Sequence, residues 1–188
     1  MIRYAFLCLA IVLLGCRRNT QSPALEIFGV VPAFQLTAQT GQPFDSRGTL
    51  AGMIWVADFI FTNCPGPCPR MTSQMHQVQE AVHRMPNVRL VSFTVDPARD
   101  TPPVLAAYAK AHHAAHQQWY FLTGPQATLN DLCRNVFKLG NVDGSLAHST
   151  RFILIDQKSQ IRGYYDTSEP DSIPKLVADI HALARERT

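Results

Sequence analysis

The sequence has few charged residues, and they show no strong bias of sign. Only 16% of the 188 residues are Asp, Glu, Lys or Arg, with 17 basic residues against 14 acidic ones. The longest basic run is the pair Arg17 and Arg18. Domains that bind nucleic acid carry a basic patch or stripe, so no nucleic-acid partner is expected. The low charge accompanies an apolar fraction of 46%, which excludes an intrinsically disordered chain.

The sequence also lacks an apolar run long enough to cross a membrane. Residues 4–14, which follow Arg3, form an apolar run of about 11 residues, whereas a membrane-spanning helix needs roughly 20. This length suits the apolar region of a signal peptide. The run ends in Leu-Leu-Gly-Cys at residues 13–16, which resembles the lipobox of bacterial lipoproteins, where cleavage precedes the cysteine and acyl chains are attached to it.

We therefore expect three segments in the chain. Residues 1–15 are predicted to be a lipoprotein signal peptide, residues 16–26 a polar tether beginning at a lipidated Cys16, and residues 27–188 a single folded domain. The expected location is extracytoplasmic, on the periplasmic side, with the lipid holding the protein to the membrane. An ordinary secretory signal with an incidental Cys16, or a retained short anchor, is the alternative.

Cysteine is scarce in the predicted domain. Of five cysteines, Cys8 leaves with the signal peptide and Cys16 is the predicted lipidation site, so Cys64, Cys68 and Cys133 remain. An odd number excludes an extensive disulfide scaffold in an oxidising compartment. Cys133 lies on an apolar face with helical spacing and is predicted to be core.

Apolar strands alternate with helical patterns along the domain, after a predicted leading hairpin at residues 31–45. We predict strands at residues 53–61, 87–95, 118–122, 150–155 and 160–165, and helices at residues 69–85, 102–113, 125–138 and 171–187. Thr101 is predicted to cap the second of these helices. Strands that alternate with helices form βαβ units, so the predicted class is α/β, with a central sheet covered by helices on both faces.

The segment CPGPCP, residues 64–69, stands between a buried strand and a helix. The free N–H groups of a helix N-terminus favour thiolate over thiol, so both sulfurs are predicted to be reactive. Sulfurs four residues apart can converge on a shared soft metal ion, Cu(I) or Zn²⁺, or join as a redox-active disulfide. A static disulfide or a pair of core cysteines is the structural alternative.

A metal on two sulfurs needs at least one more ligand. Among seven histidines, His148 stands out because it directly precedes the predicted strand at residues 150–155. From its position it is either a ligand or an ordinary surface-loop histidine. The cluster of His112, His113 and His116 at a helix end is interpreted as solvated rather than as a site.

Three separated segments carry a resemblance to a known family. They are DFIFTNCPGPCPRM at residues 58–71, VSFTVDPARDTP at residues 91–102 and AHSTRFILID at residues 147–156. Together, and in this order, they resemble the Sco/SenC family over the chain from about Val30 onward. The resemblance implies a thioredoxin-like central sheet flanked by helices, with an added N-terminal β-hairpin.

The resemblance also implies a metal and partners. Copper would be bound by Cys64, Cys68 and His148 as Cu(I), with Cu(II) left open. The implied role is in metallating the CuA site of cytochrome c oxidase subunit II. The protein would donate copper to that site, reduce the site's cysteines, or do both. A thioredoxin-like reductant or another copper chaperone would be a further partner. Asp96 matches an acidic position near the family's copper, which it would influence without binding.

One position departs from the family in a way that bears on mechanism. Asp58 places a carboxyl inside an otherwise apolar strand, where many Sco-like sequences have an apolar or aromatic residue and thioredoxins have a buried Asp. Burial raises the pKa of a carboxyl and lets it exchange a proton near neutral pH, as thiol–disulfide exchange requires. A partly exposed or hydrogen-bonded structural Asp58 is the alternative. Gly66 and Pro67 also depart from the family's usual acidic and aliphatic pair, which affects the expected copper affinity more than the ligand set.

Two function hypotheses from different classes follow. The first is a copper-binding assembly factor, which is not strictly an enzyme. The second is a membrane-anchored extracytoplasmic thiol–disulfide oxidoreductase without an essential copper role. A peroxidase fits less well, because Thr62 lies two residues before Cys64 whereas peroxiredoxins place this Thr three residues before their reactive cysteine. A structural zinc site remains as a minor alternative.

Overall fold

The computed structural model describes residues 25–140, 142 and 149–186. The predicted signal peptide, the lipidation site Cys16, most of the tether and the candidate ligand His148 lie outside the described residues. Within them, no helix combines the length and the apolar character needed to span a membrane.

The described chain forms eight strands and five helices. The strands are β1 (Gly29–Val30), β2 (Gln35–Ala38), β3 (Pro43–Asp45), β4 (Ile54–Ile60), β5 (Val88–Thr94), β6 (Trp119–Thr123), β7 (Arg151–Ile155) and β8 (Gln160–Asp166). The helices are α1 (Ser46–Thr49), α2 (Cys68–Val82), α3 (Pro102–Ala111), α4 (Gln126–Asp131) and α5 (Ser172–Arg185). A π-helical turn at Leu132–Val136 continues α4.

The eight described strands form one sheet in the order β1-β8-β7-β4-β5-β6-β2-β3. Strands β4, β5 and β6 are parallel neighbours, and the other described pairs are antiparallel. Helices α2 and α3 connect the parallel strands, which confirms the predicted βαβ units. Every residue of β4 is buried, as its continuous apolar pattern predicts for a strand covered on both faces.

The predicted N-terminal hairpin is confirmed as β2 and β3, with Leu36 opposite Phe44. It extends the sheet at the β6 edge, where Thr37 pairs with Thr123. The sequence did not reveal β1, because a strand of two residues is too short to show an alternating pattern.

The two faces of the sheet are covered by different elements. Because side chains alternate along a strand, Trp55 and Phe59 of β4 point to one face and Asp58 to the other. Phe137, which follows the π-helical turn, contacts Trp55 and Phe59 with ring centroids 6.1 and 5.8 Å apart. On the opposite face, α5 packs against α2 and β4, and α3 packs against β6.

Two local predictions need correction. The helix predicted at residues 125–138 is α-helical only to Asp131 and then widens into the π-helical turn, in which Cys133 is buried as predicted. Thr101 occupies the N-cap position of α3, but its side chain makes no capping hydrogen bond. An N-cap oxygen accepts from the second or third N–H of the helix. Pro103 at the second position has none to donate, which leaves only the N–H of Val104 for such a bond.

Candidate functional site

The cysteine loop, residues 61–67, leaves β4 at the carboxyl end of the parallel strands. Cys68 is the first residue of α2 and is fully buried, whereas Cys64 in the loop is partly exposed. The two side chains hydrogen-bond to each other, and Cys68 also has a hydrogen bond with the backbone of Phe61. The structure therefore brings the two predicted sulfurs together with one of them open to a partner.

The acidity of Cys68 differs from the sequence prediction. Burial, followed by the hydrogen bond with Cys64, raises the pKa of the Cys68 thiol well above its usual range. The helix N-terminus was expected to lower it, but loss of solvation outweighs that effect at a fully buried sulfur. Cys68 is thus a neutral thiol at neutral pH and must release its proton when it binds a metal.

Asp58 lies beneath the cysteine pair, with no exposed surface. Neither carboxyl oxygen has a hydrogen-bond partner of good geometry, although the nearby Ser92, its pairing partner on β5, favours the charged form. Burial dominates and raises the pKa of Asp58 to about 7. A negative charge here would oppose ionisation of Cys68, so the carboxyl and the thiol influence each other. The full burial of Asp58 excludes a partly exposed carboxyl, and the proton-handling and hydrogen-bonded interpretations both stay predictions.

Asp96 follows β5 at the same edge of the sheet and is largely buried. Its described side-chain contact is an ion pair with Arg99, at 3.0 Å. The neighbouring Asp100 instead reaches the cysteine loop, where its carboxylate accepts hydrogen bonds from Thr62. The sequence pattern indicates Asp96 but not Asp100, although both belong to the family-like segment at residues 91–102.

Tyr108 is a second residue near the cysteines that the sequence pattern does not indicate. Its hydroxyl lies 2.8 Å from that of Thr72, one turn into α2 from Cys68. Burial raises the pKa of Tyr108 to about 12, and charges on Cys68, Asp58 and Cys64 contribute in the same direction. Tyr108 therefore belongs to the buried surroundings of the cysteines. Nothing local in the sequence indicates that α3 places it against α2.

The described histidines do not complete a metal site. The rings of His76 and His113 lie 6.1 Å apart, and His112 packs on Tyr108 at 4.3 Å. Burial, with help from the neighbouring histidines, lowers the pKa of His112. Over residues 25–140, 142 and 149–186 there is no group of three or more His, Cys, Asp or Glu side chains that could hold a metal ion.

Comparison with known proteins gives a consistent result. The chain matches the SCO1/SenC family model over residues 24–185. A SCO1/SenC family lipoprotein from Bacillus anthracis str. Ames is 31% identical and superposes with a TM-score of 0.77, over 86% of this chain and 99% of that one. BsSco, whose structure revealed a disulfide switch and which belongs to the Sco family of cytochrome c oxidase assembly proteins, is 27% identical, with a TM-score of 0.75 over 87% and 99%.

A third solved structure extends the likeness of fold. ScoI from Bradyrhizobium japonicum, solved with copper bound, is 21% identical and superposes with a TM-score of 0.68 over 82% of this chain and 99% of that one. The chain belongs to the SCO1/SenC family, whose thioredoxin-like α/β fold it shares. The family resemblance and the fold class predicted from the sequence are both confirmed.

Proposed function

We propose that the protein is a copper-binding assembly factor for cytochrome c oxidase that binds Cu(I) through Cys64, Cys68 and His148. The observation that carries the proposal is the adjacent pair of sulfurs at the end of β4, one buried and one partly exposed. Thiolates are soft ligands that select Cu(I) over hard cations. Membership of a family that includes cytochrome c oxidase assembly proteins, and a fold shared with a copper-bound ScoI, support the proposal.

The path of β7 supports His148 as the third ligand. Strand β7 runs antiparallel to β4, so its first residue, Arg151, lies at the edge of the sheet where β4 ends and the cysteine loop begins. His148 precedes Arg151 by three residues, and three peptide units span at most about 11 Å between Cα atoms. This short connection supports the proposal that His148 reaches the edge that carries both cysteines.

The test is an anaerobic Cu(I) competition titration of the reduced protein. Wild type is expected to bind one Cu(I), Cys64→Ser/Cys68→Ser none, and His148→Ala to bind at least about tenfold more weakly, a loss of roughly 1.4 kcal/mol. His181→Ala, which alters an exposed histidine on α5, is the matched control and should bind as wild type does. Wild-type affinity in His148→Ala would contradict the proposed ligand set.

The proposed client is the CuA site of cytochrome c oxidase subunit II, which the protein would supply with copper, reduce at its cysteines, or both. A thioredoxin-like reductant or another copper chaperone would regenerate the working form. Mixing the Cu(I)-loaded, reduced protein with an apo subunit II domain should move copper to that domain, measured by the copper content of the two proteins after they are separated. Reduction of the domain's disulfide without metal transfer would assign only the reductant role.

We further propose that lipid on Cys16 anchors the protein on the extracytoplasmic, periplasmic side of the membrane. The lipobox-like residues 13–16 motivate this, and a family member from Bacillus anthracis described as a lipoprotein supports it. Mass spectrometry of the mature N-terminus should show cleavage before Cys16 and added acyl mass. Cys16→Ser should abolish that mass and release the protein from membranes.

A thiol–disulfide oxidoreductase without an essential copper role is the second candidate. The observation that favours it is the buried carboxyl of Asp58 beneath a cysteine pair that can form a disulfide. If this role dominates, either cysteine-to-serine change abolishes disulfide exchange while His148→Ala leaves its rate intact. Loss of both exchange and copper binding in His148→Ala would contradict it.

A further inference from the structure

Asp100 is a buried carboxylate that the proposed copper ligation does not use. Only 1% of the residue is exposed, in the loop between β5 and α3. One carboxylate oxygen accepts a hydrogen bond of 2.6 Å from the Thr62 hydroxyl, and the other accepts one of 2.6 Å from the Thr94 hydroxyl. The backbone N–H of Thr62 donates to the same carboxylate at 3.2 Å. Both oxygens of Asp100 are therefore engaged.

These hydrogen bonds join the cysteine loop to the neighbouring strand. Thr62 lies two residues before Cys64, where the chain has left β4, and Thr94 is the last residue of β5. Where the two strands end, the backbone N–H of Val95 donates a hydrogen bond to the carbonyl of Ile60, at 2.8 Å. Thr62 lies beyond the last residue of β4 that pairs with β5, so its backbone N–H needs a hydrogen-bond partner from elsewhere. Leaving such a group near the core without a hydrogen bond would destabilise the fold. Asp100 supplies that partner through its side-chain oxygens.

Asp100 is itself held rigidly. Its backbone N–H donates to the carbonyl of Asp96 at 2.9 Å, and the next residue, Thr101, is the N-cap of α3. The carboxylate is thus fixed by a tight turn on one side and a helix on the other. A rigid group that holds the first turn of a loop also determines where the side chains that follow can lie.

We propose that Asp100 is a positioning residue for the cysteine loop, one that fixes the backbone from which Cys64 approaches Cys68 and their shared Cu(I). The inference rests on the proposed copper function and adds a residue to it. Holding the loop before the metal arrives avoids an ordering cost on binding, which strengthens affinity without a new ligand. Removing the carboxylate should therefore loosen the loop and weaken Cu(I) binding together.

The test compares three variants of the purified protein by amide hydrogen exchange and by Cu(I) competition. Asp100→Ala should accelerate exchange at Thr62, Asn63 and Cys64 and weaken Cu(I) binding by at least about tenfold. Asp100→Asn should stay within about threefold of wild type in both, because the two threonine hydroxyls can rotate to pair with an amide.

Asp156→Ala is the matched control. Asp156 is also buried, and it accepts hydrogen bonds from Lys158, Gln160 and Arg162 in the turn that joins β7 to β8, at the other end of β7 from the cysteine edge. Its removal should lower the melting temperature but leave loop exchange and Cu(I) affinity unchanged. Equal effects of Asp156→Ala and Asp100→Ala would overturn the proposal in favour of general destabilisation.

Two other results would also overturn it. If Asp100→Ala leaves the exchange of the loop unchanged, Asp100 does not position it. If Asp100→Asn is as impaired as Asp100→Ala, the charge rather than the geometry matters. Should wild type bind no Cu(I), the proposed function fails, but the exchange measurement still decides whether Asp100 holds the loop.

Discussion

At the scale of single residues, burial decides the chemistry of the site. Cys68 and Asp58 lie on neighbouring elements with no exposed surface, and for both of them loss of water is the largest influence on the pKa. A buried site favours the neutral thiol and the neutral carboxyl because each charged form loses its solvation. Cys64, being partly exposed, is the sulfur that a partner's thiol or copper can reach first.

The raised pKa of Asp58 predicts a pH dependence of stability. The pKa of Asp58 is about 7 in the folded protein against 3.8 for a carboxyl in water, so the folded state binds the proton more tightly than the unfolded state does. The contribution of Asp58 to stability is therefore full below about pH 4 and is lost as the pH rises to about 7. Relative to Asp58→Asn, wild type should lose roughly 4 kcal/mol between pH 4 and pH 8, measured by urea unfolding.

Asp166→Asn is a control of opposite sign. Hydrogen bonds from Ser168 lower the pKa of Asp166, so its contribution to stability is lost only as the pH falls below about 4. The difference between wild type and Asp166→Asn should therefore stay nearly constant between pH 4 and pH 8 and shrink below pH 4. A difference between wild type and Asp58→Asn that stays constant over this pH range would show that Asp58 does not titrate as its burial requires.

At the scale of elements, the π-helical turn after α4 places a large aromatic ring over the central strands. Phe137 contacts Trp55, Phe59 and Phe93 with ring centroids about 6 Å apart. The extra residue in a π-helical turn rotates the chain that follows it relative to a regular helix. Periodicity in the sequence indicated a helix here but not this widening.

Phe137→Ala should destabilise the fold strongly, because it removes a fully buried ring and leaves a cavity. The expected loss is about 3–5 kcal/mol in the free energy of unfolding, measured by chemical denaturation. The matched control is Phe28→Ala, since Phe28 is 51% exposed beside β1 and packs against Tyr164 alone among the described rings. A similar loss in both variants would contradict the central position assigned to Phe137.

At the scale of the whole molecule, one buried arginine connects distant parts of the described chain. Arg162 of β8 donates to Asp156 at 2.7 Å, to the carbonyl of Leu25 at 2.9 Å and to Glu186 at 3.3 Å. Leu25 and Glu186 are the first and last described residues. The network therefore fixes the N-terminal segment and the end of α5 to the same edge of the sheet.

Arg162→Ala should cost about 3–5 kcal/mol of unfolding free energy, because it leaves the buried carboxylate of Asp156 without its cation. Lys175→Ala removes the cation of a surface pair, in which Lys175 is mostly exposed and lies 2.7 Å from Asp179. That control should cost less than about 1 kcal/mol. Thermal and urea unfolding measure both, and a small loss in Arg162→Ala would show that the network adds little to the fold.

The sequence by itself determined the features that depend on near neighbours along the chain. Alternation and helical spacing located the strands and helices around the site, and the continuous apolar pattern at residues 53–61 identified β4 as buried on both faces. The order of those elements then required βαβ units and placed the cysteine loop at the carboxyl end of a central strand. Periodicity encodes such features because each depends on residues only a few positions apart.

The tertiary structure alone decided which distant residues meet at that loop. Asp100 contacts Thr62 across 38 positions in the sequence, and Tyr108 contacts Thr72 across 36. The high pKa of Cys68 likewise follows from burial by the packed fold, which outweighs the local effect of the helix N-terminus. Contacts and desolvation arise when separate elements pack together, so no local pattern of residues specifies them.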